Sequence, residues 1–155
     1  MVFNRKIRHI VNLHLRFSPT ALGEAVKRFC LTNASFEILW SMRDGARSCG
    51  WSDGGCWILA AAIQRGWGGE LYALSRTGFE AQHIVTCFDK VFVDQDGPGS
   101  AGVLIRRFER WEVIPTGSLR MLPFTAAMGL GIPEPDGQEE IISGICNYSR
   151  FGRRL

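Results

Sequence analysis

One stretch constrains the fold of this chain more than any other. Ser52-Asp53-Gly54-Gly55-Cys56-Trp57 runs without a break into Ile58-Leu59-Ala60-Ala61-Ala62-Ile63. Small, turn-forming residues lead into an apolar run with the composition of a buried helix. The pattern predicts a helix that begins at Cys56 and stops around Gly66, before Gly68-Gly69. Ser52 or Asp53 is the expected N-cap, and Gly54 and Gly55 allow close approach of the backbone. Cys56 then occupies the first turn, where free N–H groups and the helix dipole favour a thiolate over a thiol. The plainer reading of a buried free cysteine is a small core residue. A nucleophile therefore needs partners from elsewhere in the chain.

The 155 residues predict a single domain with a core of useful size. Its centre is expected over residues 45–112, with a strand and helices over 10–44 and an irregular, then helical, part over 113–155. No apolar run approaches the roughly 20 residues that span a bilayer, and Asn12, His14 and Arg16 spoil the N-terminus as a signal peptide. A cytoplasmic protein with no membrane partner is the expectation. The net charge of +3 is too small to argue for nucleic acid. The arginines, Arg106, Arg107 and Arg110 among them, read as a basic surface face. Cys30, Cys49, Cys56, Cys87 and Cys146 are odd in number, with no C-x-x-C pair, so neither a metal site nor a disulfide framework is expected. No cofactor is called for, and the oligomeric state is left open.

Along the chain, Val11, Leu13, Leu15 and Phe17 alternate with polar residues as a short strand, with His9 and His14 on or near its solvent side. Ser18-Pro19 opens a helix with Ala21, Leu22, Ala25, Val26 and Phe29 on one face. Thr32 or Asn33 caps a second, through Phe36, Leu39, Trp40 and Met42. Leu71 to Leu74 read as a strand, and Gln82–Phe88 and Val91–Asp94 as a hairpin around Asp89-Lys90. Asp96 to Gly102 is expected to be a loop, and Ser100 to cap a helix through Leu104, Ile105, Phe108 and Trp111. After Pro115 the chain reads as irregular up to a last amphipathic helix near Glu139 to Cys146 and a basic tail. The fold class is therefore α+β, helices on an antiparallel sheet.

The hairpin brings the remaining chemistry together. With Phe88 facing Val91, Val85 lies opposite Asp94 and His83 opposite Asp96, all four on one face. Opposed Cβ atoms lie about 5 Å apart and diagonal ones about 7 Å, within reach of an imidazole and a carboxylate. The plainer alternative is a polar turn beside a surface histidine. Cys56, His83 and a carboxylate, Asp94 or Asp96, make a nucleophile, a base and an orienting acid. The Cys56 N–H is one expected oxyanion donor, with a second from Trp51, Ser52 or Asp53 beside the Gly55 turn.

Gly54-Gly55-Cys56-Trp57 heading an Ala-rich helix, His83 on a strand, then Val93-Asp94-Gln95-Asp96-Gly97, resembles the papain-like cysteine hydrolase superfamily. The nearest members are its bacterial and phage branches, transglutaminase-like, acetyltransferase-like and deamidase proteins among them. The resemblance covers about residues 45–112. It implies a central cysteine-bearing helix on an antiparallel sheet that carries histidine and acid. Cys56 would be the nucleophile, His83 the base and Asp94 the acid, acting on a protein or peptide substrate. The glutamine that papain-type proteases place before the cysteine is absent, which leaves amidase, deamidase or acyl-transfer chemistry beside peptidase. A non-catalytic binding or inhibitory protein with a basic surface is the rival class.

Overall fold

The computed structural model describes residues 17–42, 50–52, 54–129 and 137–149. The expected strand from Val11, with His9, His14, Cys49 and Asp53, lies outside them; Phe17 is described and lies in no strand. Helix α1, Pro19–Cys30, starts where expected: the Ser18 hydroxyl accepts the Ala21 N–H at 3.3 Å, and proline fills the first position. Leu22, Ala25, Val26 and Phe29 form its buried face. Helix α2, Asn33–Met42, follows after a turn held by Thr32, whose hydroxyl donates to Phe29 O and accepts from Ser35 N.

Helix α3, Cys56–Trp67, ends at Gly68, which takes a left-handed φ of 83°. Its start differs from expectation. Gly55 occupies the N-cap position, three residues after Ser52, and Asp53 lies outside the described residues. The two glycines answer to different needs. Gly54 has φ of 82°, a conformation that costs other residues about 1–2 kcal/mol. Gly55 has ordinary dihedrals, but a Cβ there would lie 2.7 Å from Gly50 O and 3.0 Å from Trp51 Cα. The Gly55 N–H donates to Gly50 O at 3.1 Å, closing the loop tightly onto the helix start.

Strands β1 (Glu70–Ser75), β2 (His83–Phe88), β3 (Val91–Asp94), β4 (Gly97–Gly99) and β5 (Arg120–Pro123) form one antiparallel sheet in the order β4-β3-β2-β1-β5. The β2–β3 register is the one implied by the sequence, with Phe88 facing Val91 and Thr86 facing Val93. Positive φ at both Asp89 and Lys90 gives the turn the twist that a two-residue hairpin requires. Two segments expected to be irregular are strands instead. Gly97-Pro98-Gly99 pairs with β3, and Arg120–Pro123 pairs with β1. Helix α4, Ala101–Trp111, lies between them in sequence, and α5, Gln138–Tyr148, closes the described chain after a short 3-10 turn at Ala126–Gly129.

The fold is α+β, and all six residues of β2 are buried because both faces of the sheet are covered. On one face Ile84 packs with Cys56 and Ala60, Phe88 joins the core of α1 and α3, and the Thr86 hydroxyl donates to Ala60 O at 3.0 Å. On the other, Val85, Cys87 and Phe92 pack against Leu104 of α4. Helix α5 lays Ile141 and Ile145 into the α1–α3 core. No helix among the described residues is long and apolar enough to cross a membrane.

Candidate functional site

Three elements end at the same place. Cys56 is the first residue of α3, His83 the first of β2 and Asp94 the last of β3. The two-residue turn fixes the hairpin register, so Asp94 lies one step beyond the Thr86–Val93 pair and diagonal to His83. His83 Nε2 stands 3.6 Å from Asp94 Oδ2, with the two side chains 1% and 5% exposed. Cys56 is buried beside Ile84, the residue that follows His83. With Nε2 turned to the carboxylate, Nδ1 is the ring nitrogen left for the thiol. Neither ring nitrogen closes a hydrogen bond of full geometry. That spacing is common in resting acid–base sites, which tighten when substrate binds.

Burial opposes charge on both partners, and their mutual attraction outweighs it. Burial pushes the Cys56 thiol up, but the hydrogen-bonding and charge interaction with His83, helped by the Ile84 and Trp57 backbone N–H groups, brings it below its ordinary value. Burial pushes the His83 imidazole down, while Asp94 and then Cys56 raise it to about 9. Opposite shifts in neighbouring groups favour movement of the thiol proton onto the imidazole. The other described thiols go the opposite way: burial raises Cys30, Cys87 and Cys146.

Asp96, the rival acid, sits in the turn after β3. Its Oδ2 accepts from Gln95 Nε2 at 3.0 Å, and its backbone N–H donates to Asp94 Oδ1 at 2.9 Å. It contacts Asp94 through its main chain. Among the expected oxyanion donors, Cys56 opens α3 directly after the glycine at its N-cap, which places its backbone N–H in the first turn. The Trp51 indole is committed to the Ser35 hydroxyl at 3.2 Å, and Gly55 N–H to Gly50 O. Ser52 is half-buried and lines a cavity of about 260 Å³ that opens beside Asp94, between Leu31, Phe36, Trp51 and Trp111.

Two residues of α4 complete the surroundings, and the sequence reading passed over both roles. Phe108 stacks on the His83 ring with centroids 4.8 Å apart and planes at 22°. Arg107, expected on a basic surface, instead reaches inward: Nη2 lies 3.2 Å from Asp94 Oδ1 and Nη1 donates to Asp96 O at 2.8 Å. A signal was available. Leu104, Arg107 and Phe108 fall at i, i+3 and i+4, so this arginine shares a helix face with the apolar residues that pack inward. No group of three or more metal-ligating side chains is found among the described residues.

Comparison of the chain with protein-family models, with characterised proteins and with solved structures returned no match.

Proposed function

We propose that this chain is a cysteine-dependent hydrolase or acyltransferase acting on an amide or thioester bond, with a protein or peptide as substrate. The reading is supported above all by the buried junction of Cys56, His83 and Asp94 at one end of the sheet, three residues from three elements in the order nucleophile, base, acid. The resemblance to papain-like cysteine hydrolases adds the same assignment of roles.

In this mechanism the Cys56 thiolate attacks the carbonyl carbon, and the carbonyl π pair moves onto oxygen. First-turn N–H groups of α3 face that developing charge. The tetrahedral adduct collapses, the bond to the leaving group breaks, and the His83 imidazolium gives its proton to the departing amine or thiol. A thioester on Cys56 remains. Water, or an acceptor amine or alcohol, then attacks it while neutral His83 takes its proton, and the thiolate leaves. Asp94 holds the imidazole in one tautomer and stabilises its cation in each half.

The test is a panel of fluorogenic peptide amides, glutamine-containing peptides and acyl thioesters, run with wild type and Cys56→Ala. Turnover that depends on Cys56 supports the proposal. Turnover that survives Cys56→Ala overturns the cysteine mechanism, and salt-sensitive partner binding indifferent to Cys56 favours the non-catalytic alternative.

A further inference from the structure

We infer that Arg107 is the positioning residue of the site: it fixes the carboxylate plane of Asp94 and thereby aims Oδ2 at the His83 imidazole. The inference rests on the proposed pairing of Cys56 and His83, but its readout is a titration and requires no turnover.

The two oxygens of Asp94 are used unequally. Both hydrogen bonds fall on Oδ1, from Asp96 N–H at 2.9 Å and Arg107 Nη2 at 3.2 Å. Oδ2 is left facing His83. The Asp96 bond is local to the turn, and alone it permits the carboxylate to rotate about the Oδ1 contact. A second donor from α4 removes that freedom. The guanidinium is itself pinned, because it also donates to Asp96 O at 2.8 Å and Gly97 O at 3.4 Å. A planar fork can meet these three acceptors together, whereas a lysine ammonium offers a single point. The arginine carries a cost in this position: its Nε is buried without a partner.

Position and charge predict opposite effects, which makes the inference decidable. A cation beside Asp94 repels the His83 imidazolium, so an arginine acting by charge alone lowers the proton affinity of the ring. A positioning arginine raises it, because neither ring nitrogen has another acceptor of full geometry and the cation depends on Oδ2 staying turned toward it. Among the described residues, the titratable and charged groups at or near this end of the sheet are Cys56 on α3, Asp94 on β3, Asp96 in the following turn, Arg107 on α4 and Cys30 on α1, which feels the charge of both aspartates.

The experiment is an NMR titration of the His83 ring in a Cys56→Ala background, which removes the coupled thiol. His83→Gln identifies its signals among the three histidines. Arg107→Gln and Arg107→Lys are compared with the parent. Positioning predicts that both lower the His83 proton affinity, by about tenfold or one pH unit. Lysine should fall with glutamine, since it keeps the charge and loses the fork. A rise in either variant, or wild-type titration in the lysine variant, overturns the inference. Lysine keeps the charge and most of the aliphatic stem at this partly exposed position and is the variant expected to keep the fold, so the comparison stands even if glutamine does not. Failure of the cysteine mechanism appears separately, as an unreactive Cys56 in the wild-type protein.

Discussion

Cys56 and Cys30 are both buried free thiols, yet their surroundings drive them apart. Asp94 and Asp96 add to burial in raising Cys30, whereas an imidazole and two backbone N–H groups overcome burial at Cys56. Cys56 should therefore alkylate faster near neutral pH than Cys30, Cys87 or Cys146, even though Cys146 is more open to solvent. Brief iodoacetamide treatment and mass mapping check this, and preferential labelling of Cys146 would mean that access outweighs thiolate character. The acid divides in the same way. Asp94→Asn should cut turnover by several orders of magnitude, because the amide no longer stabilises the imidazolium and can present N–H to the ring. Asp96→Asn should cost no more than about tenfold, 1.4 kcal/mol, since Asp96 meets Asp94 through backbone that asparagine preserves. The opposite ranking would make Asp96 the acid.

At the scale of elements, what could be read from the sequence was whatever its own residues determine. Ser18-Pro19 states a helix start, Asp89-Lys90 between apolar alternations states a hairpin, and the hairpin register places His83 diagonal to Asp94. Strands β4 and β5 were not legible because their partners define them. Gly97-Pro98-Gly99 has the composition of a loop and becomes a strand only against β3, with α1 closing over it. A Cβ at Gly23 of α1 would lie 2.6 Å from Pro98 Cβ, so two small surfaces meet that no local pattern links. Arg120–Pro123 is four residues without alternation, held as an edge strand by β1. Gly55 takes the N-cap position for a related reason: the tight Gly50–Gly55 closure sets the helix start. The link from α4 to β5 also depends on one distant contact. Buried Glu109 accepts from Gly117 N at 2.9 Å and Leu119 N at 3.2 Å. Glu109→Ala strands both donors and should cost about 2 kcal/mol or more in urea unfolding. Glu109→Gln keeps an acceptor and should lose less than half as much; equal losses would show that charge, not hydrogen bonding, holds the loop.

For the whole molecule, the paired shifts make a prediction about pH that neither residue makes alone. His83 rises from 6.5 in the unfolded chain to about 9, so its contribution to stability is complete below pH 6.5 and is lost as pH climbs through 9. Cys56 is lowered from 9.0, so its contribution is present above 9.0 and is lost as pH falls through its folded value. Between pH 6.5 and 9, wherever the pH also lies above the folded value of Cys56, the unfolded pair carries one proton, on sulfur, and the folded pair also carries one, on the ring. The proton count is then equal in the two states, and their joint effect on the slope of stability against pH is close to zero. Reactivity behaves differently, because it depends on where the proton sits. Turnover should fall on the alkaline side near pH 9, where the imidazolium acid is lost. Cys56→Ala removes the compensating thiol and leaves the histidine's contribution uncovered. To the extent that Asp94 alone keeps the ring's proton affinity raised, the variant's stability should decline from about pH 6.5 upward, by at most about 1.4 kcal/mol per pH unit. The raised thiols of Cys30, Cys87 and Cys146 contribute equally to both proteins and cancel in the difference. Urea unfolding of wild type and Cys56→Ala at about pH 6, 7.5 and 9 measures that difference. Parallel pH profiles would mean that the proton does not move from Cys56 to His83 on folding, and that the resting site holds a neutral thiol and imidazole.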